Sequence, residues 1–295
     1  MKNGSFYSVI FLLLTISLFS CSKDDQKAST PYQIPEDMVL IPGGINTIGA
    51  MDGLPNEKPM FEAEMESFLM DKNPVTVAEF RIFVEETGYV TEAEQIGNGV
   101  VFDFNRGEWA VVEGVTWELP NGPNNEPAVE NHPVRQVSWN DANKYLEWVG
   151  KRLPTEIEWE HAAKGGKNSE QPYAWGNSLV ESGTFQANTW DGVFPVENIA
   201  EDGYLQTSPV GEFSISELGL ADMGGNVWEW TEDWYRSYEN REKPFNPNSL
   251  SEKVLRGGSF MCHVSYCHGY RVSARSHSPP DNALFHVGFR GVKDL

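Results

Sequence analysis

From about residue 170 to its C-terminus this chain carries no helical period of useful length, which confines it to a fold where loops outweigh regular structure. Short aromatic-rich segments alternate there with Gly, Asn and Pro turns, the pattern of brief strands. With 27 Gly and 18 Pro spread through 295 residues, loops are expected to exceed helix and strand together. The helical signals sit upstream. Thr76-Val-Ala-Glu79 is a capping box followed by Phe80, Phe83 and Val84 on one face, with Gly88 as a stop. Ser138 caps a second helix, whose Ala142, Tyr145, Leu146 and Val149 recur at i, i+3, i+4 and i+7. Thr155-Glu-Ile-Glu158 opens a third, which carries Trp159, Ala162 and Ala163 and ends at Gly165-Gly166. Met38-Val-Leu-Ile-Pro-Gly-Gly44 reads as a short strand and turn, and residues 61–70 as strand-like. Without an internal repeat or a later linker, residues 36–295 make one irregular α+β domain.

The N-terminus has a different character. Lys2 precedes an apolar run from Phe6 to Phe19, too short to span a bilayer comfortably, and Leu18-Phe-Ser-Cys21 closes it. Residues 1–20 are therefore expected to be a signal peptide. Cys21 resembles the lipidated cysteine of a bacterial lipobox, with Phe19 a departure from that pattern. Residues 21–35 read as a tether, and Ser22-Lys-Asp-Asp25 resembles a surface-export signal of bacterial lipoproteins. The expected location is the bacterial cell envelope, periplasmic or surface-exposed, with the lipid on Cys21 as the only membrane contact. A net charge of −21 argues against nucleic acid, which needs clustered Lys and Arg. Some of that charge could serve Ca²⁺, a hard ion that takes oxygen ligands.

Cys262 and Cys267 are the only other cysteines, five positions apart on a Gly-rich segment decorated with His and Tyr. Two readings stay open. An exported chain can join them as a small structural disulfide, and the spacing alone favours this, since it is neither CxxC nor a zinc pattern. Alternatively, the two thiolates form a site for a soft ion such as Cu(I), or a redox pair. His132 and His161 lack spaced partners and read as structural histidines, while His263 and His268 flank the thiols.

Several segments together resemble the formylglycine-generating enzymes, also called sulfatase-modifying factors. They are Met38-Val-Leu-Ile-Pro-Gly-Gly44, Lys72-Asn-Pro-Val-Thr76, His132-Pro-Val-Arg-Gln-Val-Ser-Trp139 and Arg152-Leu-Pro-Thr-Glu-Ile-Glu-Trp-Glu160, then Tyr173-Ala-Trp-Gly176, Gly225-Asn-Val-Trp-Glu-Trp230 and Gly288-Phe-Arg290. These motifs cover nearly all of the chain after the leader and also occur in non-catalytic relatives. The more specific stretch is Arg256-Gly-Gly-Ser-Phe-Met-Cys-His-Val-Ser-Tyr-Cys267, with Tyr270-Arg271, Ala274-Arg-Ser276 and Asp281.

The resemblance implies a loop-rich fold related to the C-type lectin domain. It also implies O₂-dependent oxidation of a cysteine in a sulfatase Cys-x-Pro-x-Arg motif to Cα-formylglycine, with Cu(I) held by Cys262 and Cys267. Ser259 and Trp228 take supporting places near the O₂ and substrate pocket; their alternatives are a turn serine and a core indole. Two structural Ca²⁺ sites are implied as well. One would use the side chains of Asn188 and Asp202 with the carbonyls of Thr189 and Tyr204. The other would use Asp222 and Glu229 with the carbonyls of Gly225 and Val227. Read without the family, Asn188 and Asp202 are turn formers and Asp222 a surface charge. Three positions depart from the family pattern: Gly269 where many members have Arg, His286 where many have Asn, and Val272 in place of a structural cysteine of animal members. Two competing readings are a non-catalytic lectin-like lipoprotein that binds or assembles in the envelope, and a non-haem iron oxygenase, which would need His and carboxylate ligands.

Overall fold

The computed structural model describes Met1 and residues 34–295, and the compact unit runs from Ile34 to Leu295. The expected signal peptide, Cys21 and all but the last two residues of the tether lie outside the described residues. Helices α1 (Val77–Thr87), α2 (Glu92–Ile96), α3 (Trp139–Val149) and α4 (Glu156–Ala163) all precede residue 170. Nine strand segments of two to seven residues and one 3₁₀ turn, Tyr238–Asn240, make up the regular structure that follows. This is the α+β, loop-dominated architecture read from the sequence.

Local chemistry accounts for the helix boundaries. Thr76, Ser138 and Thr155 each accept from the N3 backbone N–H while the N3 carboxylate accepts from the cap's own N–H, so the boxes expected at Thr76 and Thr155 close and the Ser138 cap proves to be a box as well. Gly88 ends α1 in the left-handed region at φ 65°, where a side chain would be strained. Helix α4 stops at Ala163, slightly before the expected glycines, and Gly165 and Gly166 follow at positive φ. Helix α2 escaped the sequence reading. Its box of Thr91 and Glu94 was legible, but five residues are too few to show a period. Residues 61–70 also divide, because Phe61–Met65 pairs with Gly44–Ile48 whereas Phe68–Asp71, buried throughout, joins a different sheet.

That second sheet has three strands. Phe68–Asp71 lies between Met38–Ile41 and the C-terminal strand Val292–Asp294, so both ends of the domain are fixed to one strand. A four-stranded sheet, in the order Arg275–Ser278, Lys253–Arg256, Trp228–Trp234, Val287–Gly288, runs through the centre. Helices α1 and α3 pack on it with Phe80, Phe83, Tyr145 and Leu146 against Trp228, Trp230 and Phe289. Trp159 of α4 joins Ile41, Phe68 and Met70 in a second cluster. A third gathers Phe102, Trp190, Phe260 and Phe285. A buried indole N–H calls for an acceptor, and for two of them long-range contacts supply it: Trp159 donates to Glu229 (2.8 Å) and Trp230 to the Val137 carbonyl (3.1 Å).

Candidate active site

The candidate site forms where the end of one central strand lies beside the start of its antiparallel neighbour. Arg256 closes one strand and pairs with Glu229 at the start of the other, so the segment after Arg256 leaves the sheet beside Trp228. A close approach follows. A Cβ on Gly258 would stand 2.5 Å from the carbonyl carbon of Gly269, and Gly258 itself sits at φ 71°, so only glycine lets the two backbones touch.

Arg256 is fully buried and fixes both ends of this loop. Its Nη2 donates to Glu160 (2.5 Å) and to the Val272 carbonyl (2.6 Å), and its Nη1 to Glu156 (3.2 Å) and the Ser273 carbonyl (3.4 Å). Next along the chain, Arg271 forks onto Glu57, with Nη1 to Oε2 at 2.8 Å and Nη2 to Oε1 at 2.5 Å, and the Ser273 hydroxyl donates to the same carboxylate. Burial works to raise the Glu57 pKa, yet Arg271 and Ser273 together hold it below the ordinary glutamate value. Sequence reasoning assigned no role to Arg256 or Glu57. Their partners are about 100 and 214 residues away, which no local pattern signals.

Within the loop, the amides of Tyr266, Cys267 and His268 all donate to the His263 carbonyl, at 3.0, 3.2 and 3.1 Å. This single tight turn carries Cys267 back onto Cys262, with a Cα–Cα distance of 5.5 Å, and explains why four intervening residues suffice. The two sulfurs are bonded to each other as a disulfide. Cys262 is buried at 1% exposure, while Cys267 is half-buried next to the exposed Tyr266, so the pair faces outward through one of its members.

Ser259 and Trp228 are both brought to the pair. The Ser259 carbonyl accepts from the Cys262 amide (2.8 Å) and its Oγ from the Met261 amide (3.2 Å), so the serine shapes the turn that presents the sulfur. A Cβ on Gly269 would fall 2.5 Å from Trp228 Cζ2 and 2.9 Å from Cys262 Sγ. The indole and the sulfur thus share one neighbour, and Gly269 is the lid over both. Trp228 belongs to the core as well, at 6% exposure. Gly269→Ala should therefore displace the indole, the sulfur or the loop, at a cost of about 1–3 kcal/mol. Urea unfolding monitored by tryptophan fluorescence checks this, and a change within experimental error would contradict the packing described.

Tyr173 is a site residue that the sequence placed only in a fold motif. Its hydroxyl lies 3.1 Å from His268 Nε2, and its ring stacks on Trp175 with centroids 5.2 Å apart. Burial, then the charge of Arg271, pushes the His268 pKa down, which favours a neutral imidazole beside the cysteines.

The oxygen-donor positions divide into two groups. Asn188 is buried, its Nδ2 donates to the Gln206 carbonyl (2.8 Å), and its Oδ1 has no partner. Asp202 approaches it by accepting from the Thr189 amide (3.2 Å), and also accepts from the Tyr204 amide (2.9 Å). Burial raises the Asp202 pKa, although its bonds from the Tyr204 and Thr189 amides act the other way. An orphaned buried amide oxygen on Asn188, one residue from the amide that holds the half-buried Asp202 carboxylate, is a donor type that suits a hard cation. In the other group, Asp222 is buried rather than on the surface, and burial pushes it up to about 6 although the Gly211 amide (2.7 Å) and Arg290 act the other way. Glu229 accepts from Arg290 Nε (2.8 Å) and Trp159 (2.8 Å) on Oε2 and from Arg290 Nη2 (2.7 Å) on Oε1. A cation there would share Glu229 with Arg290. Gly225 and Val227, whose carbonyls the family resemblance adds to this second set, lie on the segment leading into the strand that carries Trp228 and Glu229.

The sequence model of the sulfatase-modifying factor enzyme 1-like domain family matches residues 24–295. This chain belongs to that family. The formylglycine-generating enzyme of Thermomonospora curvata is 41% identical over 291 residues, covering 90% of this chain and 96% of that protein. A protein of Bos taurus named inactive C-alpha-formylglycine-generating enzyme 2 is 39% identical over 275 residues, covering 86% and 87%. The solved structure of PvdO from Pseudomonas aeruginosa aligns with a TM-score of 0.67 at 24% identity, over 88% of this chain and 94% of that one, a likeness of fold. Family membership alone therefore leaves activity open, and the loop residues must decide it. Among the described residues no three His, Cys, Asp or Glu side chains converge to hold a metal, so the donor set of the iron-oxygenase reading is not found there.

Proposed function

We propose that this protein oxidises a cysteine in a sulfatase Cys-x-Pro-x-Arg segment to Cα-formylglycine, using O₂ and Cu(I), from a lipid-anchored position in the bacterial cell envelope. The observation that carries this reading is the pair Cys262 and Cys267, set face to face on one turn with Cys262 buried beside Trp228 and Cys267 half-buried next to the exposed Tyr266. The relatives named formylglycine-generating enzyme support the formylglycine-generating part of it.

Reduction of the disulfide leaves two sulfur donors on one rigid turn, the donor type and number that a soft monovalent ion accepts. Cu(I), when bound there, would supply O₂ activation and a place for the substrate thiolate. The chain's own residues do the rest. Ser259 holds the Cys262 turn, Trp228 walls off one side of the sulfur from water, and Tyr173 with His268 borders the loop on another. In the overall change the substrate CH₂–SH group loses two hydrogens, water supplies the carbonyl oxygen and sulfide leaves. O₂ takes the two electrons, and if it is carried on to water two external thiols give the other two as they join in a disulfide. Incubating the reduced protein with Cu(I), O₂ and a Cys-x-Pro-x-Arg peptide should yield the mass change of CH₂–SH to CHO and a product that reacts with an aldehyde probe. No conversion, together with a disulfide that resists mild reductant and takes up no copper, would favour the non-catalytic scaffold.

Ca²⁺ fits best at Asn188 and Asp202, with the Thr189 and Tyr204 carbonyls, because Asn188 Oδ1 is orphaned there. With calcium about a hundredfold above its Kd, the folded state gains about 3 kcal/mol. Chelation should lower Tm by a matching amount in the wild type and hardly at all in Asn188→Ala. An unchanged wild-type Tm would remove the calcium assignment.

A further inference from the structure

Arg135 is a buried cation without a counter-ion. It is 6% exposed, and no carboxylate lies within 4 Å of it among the described residues. Its two hydrogen bonds go to neutral oxygens: Nη1 donates to the Phe285 carbonyl (3.1 Å) and Nη2 to Gln206 Oε1 (2.6 Å). The guanidinium also lies over the rings of Phe285 (4.9 Å) and Phe260 (5.7 Å). These contacts offset only part of the desolvation of a full charge. The other buried arginines of this protein are compensated: Arg256, Arg275 and Arg290 each hold a glutamate. In a chain of net charge −21, a buried guanidinium with no carboxylate in contact is a specific arrangement.

Arg135 lines a cavity of about 200 Å³ with Asn121, Glu126, His132, Gln206 and Thr207 among its walls. That volume admits a small ion with a few waters and is below the size of most organic-ligand sites. His132 bonds Thr207 through Nδ1 (3.0 Å), and the buried Nδ1 of His286 has no partner. Burial and then the Arg135 charge lower the pKa of both histidines, to about 4 for His286. Glu126 is exposed on the cavity rim and makes no ion pair with the guanidinium.

We propose that this cavity binds a small oxyanion, of carboxylate, sulfate or phosphate type, on the Arg135 guanidinium, at a site separate from the cysteine pair. The planar fork of N–H donors matches two oxygens of such an ion, and Gln206 already holds that fork in one orientation. The test is thermal unfolding of the full chain in acetate, sulfate, phosphate and chloride at matched ionic strength, with Arg135→Met, Arg135→Lys and Glu126→Gln beside the wild type. A Tm gain of a few degrees in at least one oxyanion over chloride is expected, with apparent affinity at least tenfold weaker in Arg135→Met. Glu126→Gln should keep the effect. Preference for acetate would identify a carboxylate, such as a polypeptide side chain, and preference for sulfate or phosphate a free tetrahedral anion. Should Arg135→Met fail to fold, Arg135→Lys, which keeps the charge but not the fork, must still weaken oxyanion binding. Equal Tm in all four salts, an equal gain in both Arg135 variants, or loss of the effect in Glu126→Gln would overturn the proposal.

Discussion

Replacing either Cys262 or Cys267 by alanine is expected to lower conversion of a Cys-x-Pro-x-Arg peptide by about 10³-fold or more, and replacing both should cost little beyond one. The non-additivity is the informative part. A soft ion held between two sulfurs is lost when either is removed, so the second substitution finds nothing left to disturb. Cys→Ser at either position should fail equally, since a hydroxyl keeps the volume but is a hard donor. Stability separates this outcome from simple loss of a crosslink. The closed loop is short, so the disulfide stabilises by about 2 kcal/mol in the loop-entropy picture. That difference should appear only under oxidising conditions, whereas the activity loss should persist in excess reductant. A single variant that retained a tenth or more of wild-type turnover would remove the cysteine pair from the chemistry.

How far the sequence revealed this site depends on the range of the interaction concerned. Thr76, Ser138 and Thr155 announce their helices because a capping box closes within four residues. The loop-rich second half was equally legible, from the spread of Gly and Pro and the missing 3.6 period. The cysteine pair and its motif could be quoted directly. The contact of Gly269 with both Trp228 and Cys262 could not, because it depends on two strands ending at the same place. Asp222 looked like a surface charge and is buried, since the turn that carries it is pinned from the far side by Arg290. Asn188 looked like a turn former, and only the folded chain shows its Oδ1 without a partner. Charged residues that act over long sequence separations, Arg256 and Arg135 above all, carry no local pattern of period or spacing.

Arg256→Ala should be the most destabilising single change in the loop's surroundings, at about 3–5 kcal/mol. The guanidinium and the Glu160 carboxylate are both fully buried and 2.5 Å apart, and Glu156, which Arg256 shares with Arg275, is nearly so. Removing the cation leaves Glu160 with only Lys164 (2.7 Å) as a charged partner beside the Gly49 amide (2.8 Å), and frees the Val272 and Ser273 carbonyls in a buried region. For a domain of this size Tm should fall on the order of 10 °C. The cause can be isolated by a cycle. If the damage is an uncompensated carboxylate, Arg256→Met combined with Glu160→Gln should be clearly less destabilised than the sum of its parts, whereas additive losses would point to packing alone. A functional consequence follows from the same geometry. Arg256 ties the first residue of the loop to its last through Val272 O, so a folded Arg256 variant should hold its two thiols less rigidly. If the proposed copper site is correct, Cu(I) affinity should then weaken even at temperatures where the variant remains folded, a loss that a merely destabilised but locally intact loop would not show.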